Sequence, residues 1–411
     1  MKLKSLKIRI YPNATQTVQL NKTFGCVRFI YNQMLGERKE TYEKLKDKPR
    51  ELYEHDYRTE KEIKEEFGFL KEVDSIALQQ ARIDLSHAYQ NFFRKVKDPR
   101  IPSGEKGFPR FKKKGQKNSF RTILVGSNLK VDFERRKIKA PKLGWISFRD
   151  TRKIENLKIH SMTFSKTQTL KYYVSILYED VSSNVQKREI DPKVSKISGL
   201  DMSLTNFFVD DNGNSPNYTG LYRKYEAKIA ELQRKISTSR NTQFKKKMRL
   251  RLNRIHEHIR NARKDFIEKI STDLVRKNDV IVIETLSLKD MAKFRTWNER
   301  NGSKDPSNHG KSINDLGWGC FVSRLKTKAV EHGKTVIEAD KWFASSKTCN
   351  VCGYVNKDLT VPDRIWTCPK CGSSHLRDVN SAINLRNAAL DIFTEGTSGS
   401  AGISRNRSHL Q

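Results

Sequence analysis

Apolar residues recur along this chain in three different patterns, and each predicts a different element. From Lys4 to Tyr11 polar and apolar positions alternate, as in a half-buried strand, and Pro12 ends the run. Asn13 with Gln16 three residues on forms a capping-box signal, and Leu20, Phe24, Val27, Tyr31 and Met34 follow at helical spacing. A second amphipathic helix is predicted from Asp74, carried by Leu78, Ala81, Leu85, Ala88 and Phe92. Residues 13–118 are therefore expected to form a helical lobe that ends in a basic linker. Beyond it the period falls to two. Strands are predicted at Phe120–Val125, Leu129–Phe133, Trp145–Phe148, Leu157–Phe164 and Leu170–Tyr178. Short strands joined by polar turns predict a β-barrel over 119–190, completed by the opening strand, 1–12, with the helical lobe inserted between them.

The second half carries the third pattern, strands that are apolar throughout. Val194–Asp201 reads as a short strand ending in an acid, and Phe207-Phe208-Val209 follows at hairpin distance. Val280-Ile281-Val282-Ile283 is an unbroken apolar run ending at Glu284, as expected of a strand buried on both faces. Between them, long basic helices place Leu252, Ile255, Ile259, Ala262, Phe266 and Ile270 on one stripe. Arg249, Arg251, Arg254, Arg260 and Arg263 lie on the other faces. Residues 293–313 read as a polar, mobile loop, Val379–Phe393 as a helix and 394–411 as a disordered tail. The fold class expected is multidomain, α/β plus β-barrel. The α/β part, 191–346 with 375–393, follows the order of an RNase H-like domain.

Charge narrows the function. Lysine and arginine number 81 against 47 acids, and the net charge of +34 is spread along all 411 residues. Solubility needs far less, and self-repulsion at this level opposes compaction, so a polyanionic partner is expected. A membrane is disfavoured, because the basic residues are not gathered on one amphipathic helix and no run of about 18 apolar residues occurs. Met1-Lys2-Leu3-Lys4 opens no apolar signal-type run, which points to the cytosol. The segment 99–118 sets Arg110, Lys112, Lys113 and Lys114 among Phe108, Phe111 and several glycines. That mixture suits a phosphate backbone and its bases.

Two clusters carry candidate chemistry. Cys349 and Cys352, then Cys368 and Cys371, have the spacing of two zinc knuckles, each followed by a glycine. A zinc ribbon is predicted over 347–374, holding one structural zinc. Cys26 and Cys320 remain as buried thiols, without a disulfide framework. Trp366 and Lys370 of the ribbon are further candidates for touching nucleic acid. Asp201, Glu284 and Asp378 could together hold two magnesium ions, since carboxylates suit this hard cation and paired ions cleave phosphodiesters. Arg377 beside them is a candidate phosphate contact, as are Arg251 and Arg254. Asn380 and Asn384, one turn apart on a helix face, read first as packing or surface hydrogen-bonding residues.

These residues also carry a resemblance. The chain resembles the TnpB family, transposon-encoded RNA-guided nucleases related to type V CRISPR effectors, over nearly its whole length. The likeness rests on Arg9-Ile10-Tyr11-Pro12-Asn13, Phe24-Gly25-Cys26-Val27-Arg28-Phe29-Ile30-Tyr31-Asn32, Gly107-Phe108-Pro109-Arg110-Phe111, Gly199-Leu200-Asp201 and Ile283-Glu284-Thr285-Leu286. It continues through Gly317-Trp318-Gly319, Ser345-Ser346-Lys347-Thr348-Cys349 and Arg377-Asp378-Val379-Asn380-Ser381-Ala382-Ile383-Asn384. It implies a wedge β-barrel with an inserted recognition lobe, then a RuvC nuclease domain with the ribbon inserted. It implies Asp201, Glu284 and Asp378 as catalytic magnesium ligands, zinc at the four cysteines, and Gln79 near the reading of a short target-adjacent motif. The implied partners are a guide RNA derived from the transposon end and target double-stranded DNA, with the protein on the nucleoid of a prokaryotic cytosol when on target. No particular protein partner is indicated. Ser203 departs from the family's usual glycine, and the loop after Met291 is longer than usual. A transposase, or a DNA-binding transposition regulator without RNA-guided cleavage, is the alternative. The intact acid trio disfavours the regulator, and the order of the acids with the ribbon before the last disfavours the transposase.

Overall fold

The computed structural model describes the chain except residues 1, 153, 155–156, 181–189, 219, 288–308, 341–342, 361 and 395–411. Two compact units divide at Ser183 and Asn184. In the first, strand β1 (Lys2–Tyr11) leads into helix α1 (Ala14–Leu45). The capping box forms as expected: the Asn13 side chain accepts from Gln16 N, and Asn13 N donates to Gln16 Oε1. Short helices α2 (Pro49–Glu54) and α3 (Glu60–Glu66) precede α4 (Ser75–Lys97), which Asp74 caps by accepting from Ile76 N. The sheet strands that follow are β2 (Asn118–Ile123), β3 (Lys130–Asp132), β4 (Lys137–Ala140), β5 (Gly144–Phe148), β6 (Lys158–Lys166) and β7 (Tyr172–Asp180).

These strands pair antiparallel in the order β2-β6-β7-β1-β5-β4-β3. The opening strand lies centrally, in register with β7 from Lys2↔Asp180 to Ile10↔Tyr172. Their alternation is that of a sheet with one covered face: Tyr172, Val174, Ile176 and Tyr178 are buried while Tyr173, Ser175 and Leu177 are half-buried. One continuous core joins Leu6, Ile8 and Ile10 to Leu20, Phe24 and Ile30 of α1 and to Leu78, Ala81 and Leu85 of α4. Strand β4 was not foreseen, because Lys137-Ile138-Lys139-Ala140 offers only two apolar positions. Leu170, expected to open the last strand, lies in the turn before it at φ +65°.

The second unit opens with β8 (Ile197–Asp201) and β9 (Val209–Asp210). Helices α5 (Leu221–Thr238) and α6 (Thr242–Lys277) pack on each other and lead to β10 (Val280–Glu284). Then come α7 (His309–Leu316), α8 (Trp318–Glu331), β11 (Thr335–Ala339), the small hairpin β12 (Ile365–Thr367) with β13 (Ser374–Leu376), and α9 (Arg377–Thr394). The main sheet has the order β11-β10-β8-β9, with β8, β10 and β11 parallel and β9 antiparallel.

Several expectations are corrected here. Residues 309–313 belong to α7, so the predicted loop 293–313 is helical at its end; 293–308 and the tail from 395 lie outside the described residues. Cys320 is exposed, because it lies on the solvent side of α8, whereas Cys26 is buried. Arg263, off the apolar stripe of α6 as expected, is half-buried and pairs with the buried Asp315 at 3.0 Å. Asp315 also accepts from Tyr222 N, which fastens the start of α5 to α7. Trp366 is buried within the ribbon against His375 and presents no face for a base.

Candidate functional site

The parallel strands β8 and β10 run in register, with Leu200 opposite Ile283, so Asp201 and Glu284 end adjacent strands on the same sheet edge. Helix α9 lies directly over β8. A Cβ built on Gly199 would stand 2.0 Å from the Ala382 carbonyl oxygen and 2.8 Å from Arg386 N, so only glycine admits the helix at this depth. Asp211 fastens the helix further, accepting from Arg386 (3.0 Å) and from Ser198 Oγ (2.6 Å). The seating brings the first turn of α9, with Asp378 and Ser381, to the carboxylates at the strand ends.

Ser381 Oγ donates to Asp201 Oδ1 at 2.8 Å. Ser345 Oγ donates to Glu284 Oε1 at 2.8 Å, and the two serine oxygens are themselves 2.8 Å apart. Burial raises the Asp201 carboxyl well above the carboxylate range, the Glu284 and Asp378 charges add to the shift, and the Ser381 hydrogen bond opposes it. Burial likewise raises Glu284, opposed by Ser345. A pair of carboxyls pushed up together in this way favours a cation between them. Asp378 is within electrostatic range of both, but its Oδ1 takes Arg364 Nη1 at 3.3 Å. Among the described residues, only the four cysteines bring three or more ligand atoms within 4.8 Å of one another. The structure thus joins Asp201 to Glu284 and holds Asp378 beside them without closing the trio; three like charges repel, and Arg364 offers the third an opposite one.

The four Sγ atoms meet in one cluster, with Cys349 to Cys371 at 3.7 Å and Cys352 to Cys368 at 3.6 Å. Tetrahedral zinc with bonds of about 2.3 Å has sulfur–sulfur edges of about 3.8 Å, so the donor set fits a structural zinc. Gly353 and Gly372 take φ of +72° and +74°, and their N–H groups close the two knuckles on the Cys349 and Cys368 carbonyls. Hydrogen bonds with Ser373 lower the Cys371 thiol to about 6, while burial and the neighbouring thiols raise Cys352 to about 12, so without a metal the cluster loses its first proton at Cys371. His375 Nε2 lies 3.1 Å from Cys349 Sγ and is buried, a neighbour the cysteine spacing does not reveal.

Asn380 and Asn384 do more than pack. Both are buried, and both side-chain amides donate to the Thr348 carbonyl, at 2.7 and 2.6 Å. Asn384 also donates to Ser345 O at 2.7 Å, and Asn350 N donates to Asn380 Oδ1 at 3.0 Å. The strand of chain entering the first knuckle is thereby stapled to α9. Ser345 and Ser381 had no functional signal of their own in the sequence, since an isolated serine is uninformative until its neighbours are known.

The remaining candidates are scattered over surfaces. Arg110 and Lys113 are exposed in the linker, and Arg251 and Arg254 are exposed on α6. Lys112 is drawn inward: its ammonium lies 3.9 Å from the Tyr31 ring centroid, its backbone is bonded by Asn32, and burial lowers its pKa. Lys112 is half-buried, and its charge engages the Tyr31 ring in a cation–π contact. Gln79 is half-buried at a cleft with Glu60, Lys61 and Ser75. Arg377 donates to the Thr360 carbonyl at 3.4 Å, and its charge acts on Glu284. Ser203, the departure from the family's glycine, fits its turn: its N–H donates to Phe207 O, and its hydroxyl lies 3.0 Å from Thr205 Oγ1.

Comparison with known proteins gives the family. A protein of Streptomyces pristinaespiralis named "Putative RNA-guided DNA endonuclease" is 31% identical over 390 residues, covering 94% of this chain and 89% of its own. The chain belongs to the TnpB family. InsQ of Escherichia coli K12, under the same name, is 28% identical over 401 residues, 96% of this chain and 94% of that protein. Three family models match in succession: "Helix-turn-helix domain" at 1–47, "Probable transposase" at 178–295 and "Cas12f1-like, TNB domain" at 318–385. The first of these segments folds here as β1 and the single long helix α1. A solved Cas12f1–sgRNA–target DNA complex is 13% identical, with a TM-score of 0.47 over 94% of this chain and 99% of that one. Among the described residues no helix is long and apolar enough to cross a membrane.

Proposed function

We propose that this TnpB-family chain is an RNA-guided DNA endonuclease that hydrolyses phosphodiesters with two magnesium ions held by Asp201, Glu284 and Asp378. The observation that carries the chemistry is the pair of half-buried, desolvated carboxyls on adjacent parallel strands, with a third acid on the helix seated above them. Divalent cations bound there supply activation of water and neutralisation of developing charge. The chain's own groups do the rest. Ser381 and Ser345 hold one oxygen of each strand-end acid, α9 presents Asp378, and exposed basic residues such as Arg110, Lys113, Arg251 and Arg254 bind phosphates. Base pairing by a transposon-derived guide RNA reads the DNA sequence, and the protein reads a short adjacent motif, with Gln79 the candidate.

In this reading 1–12 with 119–190 is the wedge β-barrel, and 13–118 the recognition lobe. Residues 191–346 with 375–393 form the RuvC-like nuclease, and 347–374 the zinc ribbon. Replacing Asp201 by alanine is expected to abolish cleavage of matched plasmid while RNA and DNA binding persist, since affinity comes from phosphate contacts elsewhere. Normal cutting by that variant would remove the site assignment. A wild-type complex that binds guide and target in magnesium yet leaves supercoiled plasmid intact would make the chain a DNA-binding regulator.

A further inference from the structure

We propose that Ser345 and Ser381 act together as a hydroxyl bridge that sets the spacing of Asp201 and Glu284 for divalent cations. The inference rests on the reading of those acids as metal ligands. Asp201 Oδ1, Ser381 Oγ, Ser345 Oγ and Glu284 Oε1 form a continuous chain with every step 2.8 Å. Both serines are buried, at 3% and 0% exposure, so water does not compete for these contacts. The two hydroxyls come from separately anchored elements. Ser381 rides on α9, whose depth is set by its contact with Gly199. Ser345 lies on the strap before the first knuckle, where Asn384 donates to its carbonyl.

Two carboxylates at the ends of neighbouring strands repel each other and would turn apart. The bridge opposes this with two neutral hydroxyls, whose two protons are shared over the three contacts, each serine donating to its acid or to the other serine. It engages Oδ1 and Oε1, and neither serine takes Oδ2 or Oε2. The acids also hydrogen-bond each other, and that contact is the one a cation would replace while the serines restrain their rotation. Ser345 and Ser381 are positioning residues here, acting through the acids and not on the substrate.

The test is titration of the full-length chain, freed of nucleic acid, with Mn2+ by calorimetry and electron spin resonance. Loss of an outer hydrogen bond to a metal ligand typically weakens binding about 10–100-fold. Ser345→Ala and Ser381→Ala are each expected to weaken Mn2+ binding about 10-fold or more, with zinc content and thermal midpoint kept. The double variant is expected to lose little beyond the weaker single, because either change already breaks the chain. Ser345→Thr, which keeps a hydroxyl, is expected to restore most of the affinity. Unchanged Mn2+ binding in both single variants would overturn the bridge, provided Asp201→Ala loses Mn2+. Fully additive losses, or weakening accompanied by zinc loss, would also overturn it, making the serines independent or merely structural. If Asp201→Ala binds Mn2+ like the wild type, the carboxylate reading itself fails.

Discussion

The two units bury their apolar residues in contrasting ways. The first has one continuous core, shared by a seven-stranded antiparallel sheet and two long helices. The second has its core in separate pieces: one under α6 and α8, a second between β10 and α9, and a third around the cysteines. The first two pieces lie on opposite faces of the sheet, Ile281 and Ile283 on one and Val280 and Val282 on the other, while polar contacts fasten α9 and the ribbon to it: the two serines on the acids, the two asparagines on the strap, and Arg386 on Asp211. An antiparallel sheet packed on one face can be stabilised by area alone. A parallel sheet that must bring acids to one edge has polar groups inside it, and those need fixed partners. The second unit therefore depends on point contacts where the first depends on surface.

Losing the metal cluster should separate the units most. Structural zinc in small peptide domains is worth about 10–16 kcal/mol. Cys368→Ser is expected to release zinc and open the chain between the strap and α9 to protease, while the first unit resists. Zinc content by mass spectrometry and the cleavage pattern check this; retained zinc would sink the ribbon assignment. Glycines give the next contrast. Gly199→Ala drives a Cβ into backbone, so a loss of about 3 kcal/mol or more is expected in denaturant unfolding. Gly25→Ala, within α1 and with nothing inside 4 Å, should instead stabilise by about 0.5–1 kcal/mol. Equal effects would erase the distinction between point and area packing.

Strand interiors allow a finer comparison. In β10, Ile281 is fully buried, and Ile281→Thr should cost about 2–4 kcal/mol through lost packing and a buried hydroxyl. In β7, Leu177 is half-buried on the open face, and Leu177→Thr should cost less than about 1 kcal/mol. The smallest effect concerns charge. Folding raises the Asp201 carboxyl, so its contribution favours the fold below the ordinary carboxylate range and is lost as pH rises through the raised value. Without divalent cations, Asp201→Asn should therefore raise the thermal midpoint at neutral pH, at roughly 2–4 °C per kcal/mol, and the gap should close on acidification. Saturating Mn2+ should close or reverse it at neutral pH; a gap independent of pH would show that charge is not its source.

Legibility followed the same division. In the first unit, alternation along β7 and the three- and four-residue spacing of α1 and α4 were readable because the period records which face is covered. Strand β4 was lost because two apolar residues define no period. In the second unit, the unbroken run at β10 announced a strand buried on both faces, but Val336 and Ile337 of β11 are too few to do the same. Arg263 shows the limit of a helical wheel: its position on α6 puts it off the apolar stripe, but does not name Asp315, 52 residues on, as its partner.

By itself the sequence determined the donors: four thiols at knuckle spacing, acids at the ends of apolar runs, and an excess of positive charge that demands a polyanion. Those follow from residue identity and local spacing. Only the tertiary structure decided that α9 seats on Gly199, that Ser345 meets Ser381 between the acids, that Asp378 turns to Arg364, and that Lys112 folds onto Tyr31. Each of these pairs residues brought together by packing of whole elements, and no local period records which distant side chain completes a hydrogen bond.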